Sequence, residues 1–251
     1  MNPILSLENV SYSYHTPKGE TRALQNISFS ILPGSFTSIV GPSGCGKSTL
    51  LSLIAGLITP EEGQILLHNM PFDKSFAHIG YMLQRDSLLE WRTIYKNILL
   101  GLEVTHQCTP EKKQLVNDMI RSYGLENFKN SHPSQLSGGM RQRAALIRTL
   151  AMEPDILLLD EPFSALDYQT RLEVSDDIAR IIKEQGKTAI LVTHDISEAI
   201  AMGEQVIVLS KRPATVKSIV DIHLSIPERT PFTSRTAPEF STYFHQIWKE
   251  L

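Results

Sequence analysis

The stretch GPSGCGKST, residues 41–49, constrains this chain more than any other. It lies between an apolar run, SFTSIV, and a run with helical spacing, KSTLLSLIAGL, expected to end near Gly56. Gly41, Gly46, Lys47 and Ser48 satisfy the pattern GxxxxGK[ST]. Such a loop cradles an anion only when a strand delivers it and a helix leaves it, because free backbone N–H groups must converge on one point. An α/β core is therefore required. Glycine lets the backbone approach phosphate closely. Lys47 is expected to reach the β- and γ-phosphates of a nucleotide, and Ser48 to offer its hydroxyl to Mg²⁺. Pro42, Ser43, Gly44, Cys45 and Thr49 complete the cradle.

The rest of the chain is patterned accordingly. Residues 4–14 alternate with one slip, and Ile27, Phe29 and Ile31 alternate cleanly, which predicts half-buried antiparallel strands joined by the polar loop TPKGE. QILLHN and HIGYML read as further strands. Between residues 93 and 152 the spacing turns helical in TIYKNILLGLEV, PEKKQLVNDMIRSYGL and GGMRQRAALIRTLAME, the last stopped by Pro154. DILLLD and TAILVTH are continuous apolar runs, as in parallel strands buried on both faces. Val174, Ile178, Ile181 and Ile182 form a helical stripe, and Gly186 suits the helix end. DISEAIAMG reads as a short capped helix and QVIVLS as a strand. Beyond residue 211 the signal weakens among prolines, with a helix expected in the last dozen residues.

Two further strand ends carry chemistry. ILLLDEP, residues 156–162, delivers Asp160 and Glu161 to the carboxyl end of a strand, where open α/β sheets bind ligands. Asp160 is expected to face Mg²⁺, and Glu161 to act beside the γ-phosphate as general base or water-positioner. His194 ends TAILVTH at the same edge and is expected to touch the γ-phosphate. Gln84 follows another strand, and its amide suits Mg²⁺ or the attacking water. The other seven histidines are read as surface or packing residues. A second glycine loop, LSGGMRQR at 136–143, opens a basic helix and offers a second anion site.

Composition narrows the class. With 24 basic and 27 acidic residues, the net charge of −3 gives no sign of a nucleic-acid binder. Two cysteines are too few for a disulfide framework, and Cys45 lies in the phosphate loop, which fits a reducing cytosol. The N-terminus lacks the marks of a signal peptide, and no run approaches the ~20 apolar residues of a membrane span. One domain of 251 residues is expected.

In this order, the phosphate loop, Gln84, LSGGMRQR, ILLLDEP, SALD and LVTHD resemble the ATP-binding cassette (ABC) family over about residues 10–210. The resemblance implies a P-loop NTPase (RecA-like) α/β core with an N-terminal antiparallel β subdomain and an inserted α-helical subdomain. The core would take residues 1–84 and 153–210, the helical insert 85–152, and a C-terminal extension 211–251. It also implies ATP and Mg²⁺ as cofactors and a head-to-tail dimer of two copies. Ser137, Gly138 and Gly139 of one copy would then close over ATP held by the other, with Asp167 of SALD at the same seam. Tyr14 matches the family's adenine-stacking aromatic, or else simply ends a strand. AALIRTL departs from the family's usual VALARAL at Ile147 and Thr149, which bears on local packing.

Residues 83–103 match the region that meets a membrane subunit, in a form similar to importers of the nitrate, sulfonate and taurine group or of thiamine-pyrimidine precursors. Glu90 replaces a proline of that group, and Trp91 either docks a partner or packs the helical lobe. The implied partners are integral membrane permease subunits and, indirectly, an extracytoplasmic substrate-binding protein, with no nucleic acid. The implied location is the cytoplasmic face of the membrane, as a peripheral subunit. A cassette ATPase of DNA repair or translation is the alternative; those usually carry paired cassettes or long coiled coils. A P-loop kinase is disfavoured by LSGGMRQR.

Overall fold

The computed structural model describes residues 2–17, 19–71 and 79–251. His78, which opens the HIGYML stretch, falls outside them. Two sheets form the frame. β1 (Leu5–Thr16) pairs antiparallel with β2 (Gly19–Ile31) and with β4 (Glu62–Leu67), and β4 pairs with the short β5 (Met70–Pro71). The slip in the alternation of residues 4–14 is a bulge between Leu7 and Val10, where Asn9 takes a left-handed φ of 51°. β2 starts at Gly19, so the loop expected at TPKGE is shorter and the strand longer than the alternation suggests.

The second sheet has the order β10–β9–β3–β8–β7–β6. Its members are β3 (Phe36–Val40), β6 (Ile79–Met82), β7 (Ile156–Asp160), β8 (Thr188–Thr193), β9 (Gln205–Leu209) and β10 (Val216–Asp221). All neighbours are parallel except β9 and β10. β10 went unread in the sequence because only Val220 among its residues is buried, so no apolar alternation marks it.

The continuous apolar runs follow from burial on both faces. Leu157, Leu159, Ala189 and Leu191 face a helical layer, while Ile156, Leu158, Ile190 and Val192 face the antiparallel sheet and α1 (Lys47–Ile54). Each such Leu or Ile contributes about 1.5–3 kcal/mol by leaving water. The helical layer contains α2 (Ile94–Ile98), α3 (Leu100–Val104), α4 (Pro110–Ser122), α5 (Gly138–Leu150) and α6 (Tyr168–Glu184). The helix expected over TIYKNILLGLEV is broken at Leu99 into α2 and α3. The stripe Val174, Ile178, Ile181 and Ile182 is buried, and Gly186 follows the end of α6 with φ 59°. α7 (Ile196–Met202), α8 (Pro231–Ser234) and α9 (Phe240–Glu250) flank the β9 side, where Val40, Val206, Val208 and Ile247 share a third core.

Candidate active site

Parallel order brings five strand ends to one edge. β3 runs into the phosphate loop, β6 toward Gln84, β7 into Glu161, β8 into His194 and β9 toward residues 210–212. This carboxyl edge of a parallel sheet is where crossovers leave a crevice. Gly46 turns the loop into α1 with φ 124°, a conformation side chains rarely adopt, and a Cβ there would lie 2.9 Å from Leu24 Cδ2. No side chain caps α1, so its first N–H groups face the loop's concavity. Lys47 is only 7% exposed, and its ammonium donates to the carbonyls of Gly41 (2.8 Å) and Pro42 (3.1 Å). Cys45 is buried behind the loop, and burial pushes its thiol up despite the nearby Lys47 ammonium. Both cysteines are free thiols.

The acidic end is equally ordered. Glu161 has a left-handed φ of 44°, which costs on the order of 1 kcal/mol for a non-glycine residue. Its N–H still continues the ladder, donating to Val192 O at 2.8 Å. The strained turn lets Asp160 point inward while the Glu161 carboxylate meets two partners. His194 Nδ1 lies 3.1 Å from Oε2, and Gln84 Nε2 donates to the same oxygen at 3.3 Å. Asp160 is buried, and burial pushes its carboxyl up, opposed by hydrogen bonds from Ser48 and Tyr81. The Tyr81 hydroxyl donates to Asp160 Oδ2 at 3.3 Å, and burial followed by the Asp160 charge holds its proton far above the usual tyrosine range.

One cavity of about 580 Å³ joins these groups. Ser43, Gly44, Gly46, Lys47, Ser48 and Thr49 form its floor, and Gln84, Glu161 and His194 form one wall. Tyr14 also lines it, its hydroxyl 3.0 Å from Thr49 Oγ1 and its ring edge-on to Tyr12. Gly41, Pro42, Cys45 and Asp160 support the cavity without lining it. Ala23 and Arg212 line it and were not read from the sequence. Arg212 follows a strand end in a proline-containing loop, and only its place after β9 could have singled it out. A larger cavity of about 820 Å³ runs past Asp176, Arg180 and Arg229 between α6, α7 and α8. Neither the residues of GPSGCGKST nor Glu161 line it.

The second glycine loop is built differently. Ser137 caps α5, accepting from Met140 N–H at 3.4 Å. Gly139 lets α5 approach α6, where a Cβ would lie 2.8 Å from Val174 Cγ2, and Gly138 lets it approach the turn before α6, where a Cβ would lie 2.8 Å from Leu166 Cδ2. Asp167 caps α6 through Thr170 N–H at 3.1 Å, and its hydrogen bonds with Thr170 hold its carboxyl below the usual range. None of these four residues lines the 580 Å³ cavity of its own chain.

The segment after Gln84 is tied to α5. Arg141 reaches Asp86 (2.7 Å) and Glu90 (2.9 Å), while Arg148 donates to the carbonyls of Asp86 and Ser87. Buried Asn97 accepts from Leu89 N–H at 2.7 Å and donates to Leu89 O at 3.0 Å. Leu88, Ile94 and Ile98 are buried, whereas Trp91 is 76% exposed and does not pack the lobe. The departures Ile147 and Thr149 are accommodated: Ile147 is in the core, and the Thr149 hydroxyl donates to Ala145 O at 3.0 Å. No helix among the described residues is long and apolar enough to cross a membrane.

The chain is similar to known proteins over most of its length. Residues 24–164 match the family model described as ABC transporter. The chain is 47% identical over 247 residues to the ABC transporter ATP-binding protein YtlC of Bacillus subtilis, spanning 98% of this chain and 95% of the relative. It is 38% identical over 213 residues to the taurine import ATP-binding protein TauB of Roseobacter denitrificans, spanning 84% and 80%. Among solved structures, the dimeric post-hydrolysis state of the ATP-binding cassette MJ0796 bound to ADP and Pi superimposes with a TM-score of 0.74 at 33% identity, covering 87% of this chain and 99% of that one. A family match over residues 24–164 and relatives 38–47% identical on this fold make the chain a member of the ABC transporter family, an ATPase that uses ATP and Mg²⁺.

Proposed function

We propose that the chain is the ATP-hydrolysing subunit of a membrane import complex, taking up a small organic or anionic nutrient of the nitrate, sulfonate and taurine kind or a thiamine-precursor kind. The observation that carries its chemistry is the Glu161 carboxylate, contacted by Gln84 and His194 on the wall of the cavity that holds Lys47 and Ser48. ATP lies with its phosphates on the loop and the N-terminus of α1, and its adenine against Tyr14. Lys47 neutralises the β- and γ-phosphates. Glu161 orients the attacking water and takes its proton, while His194 and Gln84 hold that carboxylate and contact the γ-phosphate. Ser48, Asp160 and Gln84 form an oxygen donor set that would hold Mg²⁺, and the ion would supply positive charge against the charge that develops on the leaving phosphate.

Two copies meet head to tail. Ser137, Gly138 and Gly139 of the second copy close over the γ-phosphate, with its Asp167 at the seam. ATP thus favours the closed dimer, and hydrolysis removes the link that favours it, which is the differential affinity a conformational cycle needs. The exposed Trp91 and the loop pinned to α5 by Arg141 support docking of permease subunits there. The subunit works peripherally at the cytoplasmic face, with an extracytoplasmic binding protein supplying cargo and no nucleic acid partner. The relative TauB, named for taurine import, supports the import direction and a small sulfonate-bearing cargo. Purification from membranes in mild detergent tests this reading. A polytopic membrane protein should co-purify, and the reconstituted complex should couple ATP to uptake. Co-purification with nucleic acid or ribosomal particles instead would favour the DNA repair or translation alternative.

A further inference from the structure

We infer that Arg212 is a nucleotide-binding residue that holds the α-phosphate of ATP and ADP; the inference rests on the nucleotide reading of the 580 Å³ cavity. Sheet order carries it. Gln84, Glu161 and His194 follow β6, β7 and β8, all on one side of β3 and its phosphate loop. Arg212 follows β9, on the other side of β3. A triphosphate with its γ end at Glu161 therefore turns its α end toward β9, where Tyr14, Ala23 and Arg212 share the cavity wall.

The loop that carries Arg212 is fixed, not merely nearby. Ala214 N–H donates to Ala23 O and Gln25 N–H to Ala214 O, each at 2.9 Å, so residue 214 is stitched into β2. Ser210 Oγ accepts from Thr215 N–H at 2.9 Å and donates to Lys211 O at 2.9 Å, closing the loop on itself. The same stretch of β2 touches the phosphate loop, since a Cβ on Gly46 would lie 3.2 Å from Ala23 O. Residues 23–25 thus hold the Arg212 loop and the start of α1 in one frame. Among the described residues no hydrogen bond or ion pair engages the Arg212 guanidinium, which stands exposed at the rim of the cavity that Lys47, Ser48 and Thr49 also line and whose carboxylate, Glu161, follows β7 on the other side of β3. A planar cationic fork in that position matches a phosphate diester oxygen pair.

The test is ADP and ATP titration of the full chain, wild type against Arg212→Met, Arg212→Lys and Lys47→Ala. Arg212→Met should weaken ADP and ATP alike by about 5–30-fold, the modest end for a charged hydrogen bond because the group is exposed. The loss should appear in KM rather than kcat, and the thermal midpoint without nucleotide should match wild type. Arg212→Lys should recover part of the affinity, since it keeps charge without the fork. ADP affinity within about twofold of wild type in Arg212→Met, or a loss confined to ATP, overturns the assignment. If Lys47→Ala also binds ADP like wild type, the cavity itself has been misread, which separates the two failures.

Discussion

Replacing Glu161 with Gln separates chemistry from architecture at this site. Both contacts to the carboxylate land on one oxygen, from His194 Nδ1 at 3.1 Å and Gln84 Nε2 at 3.3 Å. A glutamine amide turned with its oxygen in that place accepts from both partners, and its NH₂ occupies the other oxygen's position. Shape and hydrogen bonding survive; the negative charge and the ability to take a proton do not. Loss of a general base slows the step by roughly 10²–10⁴-fold, or about 2.7–5.4 kcal/mol at 1.36 kcal/mol per tenfold. Ground-state binding should hold or tighten, because an anion beside a triphosphate has been removed. Phosphate release under single-turnover conditions measures the first effect, and size-exclusion with ATP should reveal a trapped dimer. Turnover within about tenfold of wild type would refute the role given to Glu161. A parallel fall in ATP affinity would show that the substitution had disturbed the cavity instead.

Ser137→Arg should leave nucleotide binding by the single chain intact and abolish hydrolysis; mixed with Lys47→Ala chains it should restore at most one working site per dimer, and full activity of Ser137→Arg alone would exclude the second copy's contribution. Asp86 is pushed up by burial, but hydrogen bonds from Arg141 and Leu88 N–H outweigh this and hold it below its ordinary 3.8. Its contribution is therefore present above pH 3.8 and fades as pH falls through the lower folded value, so in urea titrations the stability advantage of wild type over Asp86→Asn should shrink on acidification through this range. Gly80→Ala should destabilise by about 1–3 kcal/mol through overpacking. Its Cβ would lie 2.5 Å from Thr149 Cγ2 and 2.9 Å from Pro154 Cγ, and adding Thr149→Ser, which removes that methyl, should recover part of the loss in urea melts.

Local chemistry was enough to locate most of the cavity. A strand, a glycine loop and a lysine in that order form the pattern of an anion cradle, so Gly44, Gly46, Lys47 and Ser48 were legible as residues that line one cavity. Asp160, Glu161, Gln84 and His194 were legible because each follows an apolar run, and parallel strands gather their carboxyl ends. The break at Leu99 was not legible, because the apolar spacing of α2 continues into α3 across it. The left-handed turn at Glu161 was not legible either, since glutamate gives no local reason to adopt it.

Residue type and order alone thus determined the α/β class, the phosphate cradle and the carboxylate edge, because those depend on backbone periodicity and on contacts within a few residues. Only the tertiary structure decided that Ser137 and Asp167 cap helices outside their own chain's cavity, that Trp91 faces solvent, and that Arg212 lines the site. Those outcomes depend on strand order and on the stitching of distant segments such as Ala23 to Ala214, contacts whose partners lie far apart along the chain and leave no mark in either neighbourhood.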